Sequence, residues 1–195
     1  MEFNDLYQKY EVQLLSLKAI ITQSQNRVLQ EEPDEIFSSN INFFVKSYLI
    51  TTCTYLEAYL QDLAFEHATR LHNRLKEAKV PHNFIYWKLS KEVKEKELSF
   101  SDAEYKATKK DISDIISGNP YKTIKAFQYI GVDLNSNANF TAHKDQINFI
   151  VNKRNNIIHH NDEASDITFS DLHTNIDTVL LYMKAIESSL SATAA

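Results

Sequence analysis

Val151-Asn152-Lys153-Arg154-Asn155-Asn156-Ile157-Ile158-His159-His160-Asn161-Asp162 is the stretch on which the reading of this chain turns. Ile147, Ile150, Val151, Ile157 and Ile158 recur at the i, i+3, i+4, i+7 spacing of one helix face. On the same stripe, three residues after Val151 and four before Ile158, stands Arg154. A permanent cation therefore occupies a place where the pattern asks for a hydrocarbon, and it needs a carboxylate partner or a ligand. Directly after it come two asparagines and then two histidines, the side chains that change charge nearest to neutral pH. An arginine on a stripe also snorkels or forms a structural ion pair, and paired histidines at a helix C-terminus interact with its dipole. The pattern by itself leaves structural and chemical roles open.

Composition narrows the surroundings of that helix. In 195 residues there are two glycines and three prolines, too few for the turns of a sandwich or barrel, so long helices are expected. Gly118 and Gly131 alone cannot write a phosphate loop or a dinucleotide fingerprint. One cysteine, Cys53, rules out an intrachain disulfide framework or a cysteine-based zinc site, and its apolar setting reads as packing. Met1 to Asp5 has neither a basic nor an apolar leader region and no run of 18 apolar residues occurs, so a cytoplasmic protein without membrane contact is expected. A net charge of −5 argues against a broad basic face, although Lys144, Lys153 and Arg154 outnumber Asp145 between His143 and His160.

Taken in order, Phe3, Tyr7, Tyr10, Leu14, Leu17, Ile21, Ser24 and Val28 form a narrow seam with steps of three and four, broken by Glu31 to Glu35. A second helix is expected from Ser38 or Ser39 to Lys79, stopped by Pro81. It is apolar on several sides and belongs at the centre of a bundle. Glu57 lies on its flank, four after Cys53 and three before Leu60, and is a candidate partner for Arg154. Beyond Leu63 the run His67, Arg70, His72, Arg74, Lys76 reads as an exposed distal half.

The middle segment is less regular. Phe84, Tyr86 and Trp87 are expected to pack on the bundle, and Lys91 to Glu97 to form a solvated helical face. Ser101 to Glu104 reads as a capping box opening a short helix to Gly118, and Asn119-Pro120 as the start of another closed by Gly131. Val132 to Phe140 reads as a polar loop. The motif helix is expected from about Thr141 to His160, with Asn161 and Asp162 favouring a turn. Thr168 to Asp171 then caps a last amphipathic helix, which forms an antiparallel hairpin with it. The organisation expected is one all-α domain over 1–195, an antiparallel helical bundle with two long helices, short inserted helices within 81–140, and a C-terminal hairpin carrying the motif.

Arg154-Asn155 followed by His159 resembles the R-x4-6-H motif of the HEPN superfamily (higher eukaryotes and prokaryotes nucleotide-binding domains). The helix around Thr54 to Asp62, with Glu57, is similar to the acidic-bearing helix of its RiboL-PSP branch. The resemblance implies a homodimer with a composite cleft, where RNA is cleaved without metal or cofactor by 2′-hydroxyl attack. Arg154, Asn155 and His159 are then the implied catalytic residues, with Glu57 and His160 in support. His160 also satisfies the spacing, and His159 is preferred. A role as a toxin or phage-defence effector, controlled by an antitoxin or other protein, is implied in the same way. On an ideal helix Arg154 and His159 stand about 140° apart at roughly 100° per residue, so one chain does not bring them together without unwinding. Two other roles remain in view: a non-catalytic module binding nucleotide, RNA or protein, and a metal site from His143, His159, His160 and Asp162, which lacks any recognised ligand spacing.

Overall fold

The computed structural model describes residues 2–90, 98–160 and 163–194, and among them the chain is all-α, with no strand. The expectations for Lys91 to Glu97 and for the turn at Asn161-Asp162 lie outside the described residues. Four long helices make the frame: α1 (Phe3–Leu29), α3 (Ile41–Glu77), α7 (Ala138–His160) and α8 (Phe169–Ala194). Between them lie the short helices α2 (Glu35–Ser38), α4 (His82–Leu89), α5 (Lys109–Ile115) and α6 (Pro120–Tyr129).

The seam of α1 is buried at Phe3, Leu6, Tyr10, Leu14, Leu17, Ile21 and Ser24. It lies antiparallel to α8, because Lys18 meets Asp177 and Thr22 meets His173. It is antiparallel to α3 as well, with Tyr10 donating to Asp62 at 2.7 Å and Ser24 bonded to Tyr48 at 2.6 Å. α3 is the central helix, burying Val45, Leu49, Cys53, Leu56, Tyr59, Leu60 and Leu63, and Tyr59 Oη donates to the Met183 carbonyl of α8 at 3.0 Å. One apolar cluster extends from Phe3 to Leu190, so the helices share a core.

The hairpin expected at the C-terminus is present. Thr168 and Asp171 cap α8 reciprocally, each taking the other's backbone N–H. Phe140 of α7 stacks on Tyr182 of α8 at 4.9 Å. Asn119 and Pro120 open α6 as expected, the Asn119 side chain accepting from the N–H groups of Tyr121 and Lys122. Gly131 ends that segment at φ +79°, a conformation glycine adopts without Cβ strain.

Several expectations fail for identifiable reasons. The distal half of α3 is not wholly exposed: Phe3 covers it, so His67 is buried with Nε2 3.1 Å from the Ile130 carbonyl, and the Arg70 guanidinium lies 4.0 Å over the Phe3 ring. The capping signal at Ser101 to Glu104 opens no helix, because the backbone there is bonded to the turn after α3: Ala103 N–H to Val80, His82 N–H to Ser101. The cap belongs instead to Thr108 and Asp111, which open α5. Phe84 and Trp87 remain more than half exposed, for α4 is one short helix tied to the frame by that same pairing. Val132 to Phe140 is no polar loop: Val132, Leu134 and Phe140 are buried, and Asn137 caps α7 while its Nδ2 shares its two hydrogens among the Ala185 carbonyl and the Ser188 and Ser189 hydroxyls of α8. Ile158 is 47% exposed, the last turn of α7 burying Ile157 in its place.

Candidate functional site

The stripe of α7 that faces α3 carries Ile147, Ile150, Val151 and Ile157 into the core and Arg154 with them. The Arg154 side chain is 19% exposed and its Nη2 donates to Glu57 Oε2 of α3 at 3.0 Å. This is the pairing expected from the two helix patterns. Nη1 donates to Asn155 Oδ1 at 3.0 Å, and Nε is buried without a hydrogen-bond partner. The guanidinium plane is thus fixed from two sides by residues ninety-seven positions and one position away in sequence. It forms part of the wall of an open recess of about 280 Å³, together with Thr54, Glu57, Ala58 and Gln61.

Cys53 lies one turn before Glu57 in α3, its thiol directed at the Ile150 carbonyl 4.0 Å away. Burial pushes that thiol up to about 12; the Arg154 charge pulls it back in part, and Glu57 opposes this. It is a neutral packing group at physiological pH rather than a nucleophile.

α7 continues as a helix through His160, so the last turn does not unwind to bring Arg154 and His159 together. Both histidines are exposed, and among the described residues neither makes a hydrogen bond to Arg154. A single chain therefore gathers Arg154, Asn155 and Glu57, and leaves His159 and His160 on the outside of the helix end. His143, on the preceding part of α7, has Nδ1 2.7 Å from the Asn139 carbonyl, and Asp162 lies outside the described residues. Among the described residues no group of three or more metal-ligating side chains converges.

Thr54, Ala58 and Gln61 are site neighbours that sequence reasoning missed. They stand at −3, +1 and +4 from Glu57, so helical spacing from that carboxylate was the signal available. The role of Asn155 is also more definite than its position suggested, since its carbonyl oxygen holds Arg154.

The described residues thus form a helical bundle whose penultimate helix carries a clamped arginine followed by an exposed histidine. The RiboL-PSP-HEPN family model matches residues 6–192, and the chain belongs to that family. No curated protein and no solved structure matches it. Among the described residues no helix is long and apolar enough to cross a membrane.

Proposed function

We propose that this protein is a metal-independent endoribonuclease whose site is completed by a second copy of the chain. The observation that carries the reading is the clamped guanidinium at the wall of an open recess, on the same helix as an exposed His159. Glu57 and Asn155 set the orientation of Arg154, which binds the scissile phosphate and stabilises charge as it accumulates on the phosphorane-like transition state. His159 of one copy takes the proton from the 2′-hydroxyl as that oxygen bonds to phosphorus. The proton that the 5′-oxygen takes as the P–O5′ bond breaks comes from His159 of the other copy, or more slowly from solvent water where only one of the two histidines is present. The products are a 2′,3′-cyclic phosphate and a 5′-hydroxyl. His160 is the alternative proton carrier. RNA is the proposed substrate, a homodimer the active form, the cytoplasm the location, and an antitoxin or other regulatory protein the control, as expected of a toxin or phage-defence effector.

Incubation of purified protein with RNA in excess EDTA, beside Arg154→Ala and His159→Ala, tests the activity. Cleavage by the wild type alone, leaving cyclic phosphate ends, supports it. Equal cleavage by all three, or none by any, overturns it.

One observation favours a second reading. Within a chain Nη1 and Nη2 of Arg154 are engaged by Asn155 and Glu57 and neither bonds to His159, as suits a non-catalytic HEPN module that binds nucleotide, RNA or protein. RNA bound without cleavage, with affinity unchanged in His159→Ala, selects that reading.

A further inference from the structure

Around α7 from the Arg154 side, Asp145, Asn148, Asn152, Asn155 and His159 follow one another at steps of three and four, a single helical stripe ending at the histidine. It spans about 21 Å at roughly 1.5 Å per residue. Its lower end is joined to α6: Asn119 Nδ2 donates to Asn148 Oδ1 at 3.2 Å, Tyr121 Oη donates to Asp145 Oδ1 at 3.3 Å, and Lys144 Nζ stands 5.5 Å over the Tyr121 ring. The outer face of α6 presents Tyr121, Lys122, Lys125, Gln128 and Tyr129, all exposed, and α6 carries no carboxylate. Lys122, Lys125 and Tyr129 line a shallow groove of about 190 Å³ with Ala126 and with Ile115 of α5. In a chain of net charge −5, two lysines and two exposed tyrosine rings on one ten-residue helix form a local cationic, aromatic face.

We infer that this continuous surface, from the α6 groove along the asparagine stripe to His159, is the track that receives single-stranded RNA. The inference rests on the ribonuclease reading for its direction towards His159. Lys122 and Lys125 neutralise backbone phosphates. Tyr129 offers a π-face to one base at the groove, and Tyr121, held by Asp145 and Lys144, offers a second. Asn148, Asn152 and Asn155 supply uncharged donors and acceptors that guide the strand without repelling or over-binding it. The carboxylates beside the track are Asp145, engaged by Tyr121, and Asp111 and Asp114 of α5, the first of which is tied to Thr108. Stacking on rings requires unpaired bases, so the occupant is a single strand rather than a duplex.

The test is fluorescence anisotropy of a labelled single-stranded RNA and of its duplex, in EDTA, with the wild type, Lys122→Ala/Lys125→Ala, Tyr129→Ala and, as an off-track control, Lys79→Ala. The wild type is expected to prefer the single strand. Tyr129→Ala is expected to bind at least about fivefold more weakly, the low end for losing one base–aromatic stack. The double lysine variant is expected to lower the slope of log K against log salt by about 0.7 per lysine. Lys79→Ala is expected to bind as the wild type does. All the replaced side chains are exposed, and far-ultraviolet circular dichroism verifies the fold. Affinity unaffected by either track variant, or equal affinity for duplex, overturns the track. So does loss of the dimer in size-exclusion chromatography, which would assign the surface to a second copy. Track-dependent binding with no cleavage upholds the track and sinks the ribonuclease reading; cleavage with the same kcat/KM in both track variants does the reverse.

Discussion

Replacement of Glu57 tests whether Arg154 is positioned by its partner or merely near it. The contact is a single 3.0 Å pair between side chains 19% and 31% exposed. At that separation and an effective dielectric of about 20 the gross attraction is roughly 5–6 kcal/mol. Most of it is offset by desolvation of both ions and by the ordering of two long side chains, leaving a net value above that of surface pairs and below that of fully buried ones. Glu57→Ala should therefore cost about 1–2 kcal/mol, a fall in Tm of roughly 2–8 °C for a chain of this size. The companion Arg154→Met places an apolar side chain on an apolar stripe and should cost less than Glu57→Ala. The double variant should recover part of the loss, with a coupling energy near about 1 kcal/mol in urea unfolding. A Glu57→Ala cost below about 0.3 kcal/mol together with zero coupling would refute the claim that this carboxylate holds the guanidinium.

Three further outcomes follow from the frame. Asn137→Ala removes the α7 cap and the amide that bridges to α8, and should destabilise by about 1–3 kcal/mol in the same urea assay. Burial lowers the His67 pKa below its ordinary 6.5, so the unfolded chain binds more protons there than the folded one. Its stabilising contribution is present above about pH 6.5 and is lost as pH falls through the lower folded value; His67→Phe should flatten that part of the stability profile, and an unchanged slope would contradict it. Cys53, pushed up to about 12, should resist iodoacetamide at pH 8 in the native protein and react in urea, as read by mass spectrometry.

The long helices were legible because their apolar residues keep period: the α1 seam buries nearly the residues its spacing names, and Leu172, Ile176, Val179, Met183, Ile186 and Leu190 of α8 are buried at steps of three and four. The Glu57–Arg154 pair was legible for the same reason, each charge being an exception on an otherwise apolar face. What escaped was set by partners distant in sequence. His67 reads as polar and exposed until Phe3, sixty-four residues earlier, is laid over it. Ser101 and Glu104 satisfy a capping rule, but backbone bonds to Val80 and His82 occupy that stretch first. Asn135 to Asn139 look like loop on polarity, while Leu134 and Phe140 on either side anchor it, and Asn137 joins two helices. At the site, the sequence identified the arginine and its partner; the recess residues of α3 became visible only once Glu57 was fixed in register.

Complementation between two inactive variants probes the composite site most directly. Arg154→Ala and His159→Ala should each lose RNA cleavage, and a mixed dimer of the two keeps an intact arginine from one chain beside an intact histidine from the other. Mixing them under conditions of subunit exchange should restore part of the cleavage that neither shows alone. If the mixed dimer forms, verified by native mass spectrometry, and remains inactive, Arg154 and His159 do not work across two chains and the composite site is contradicted.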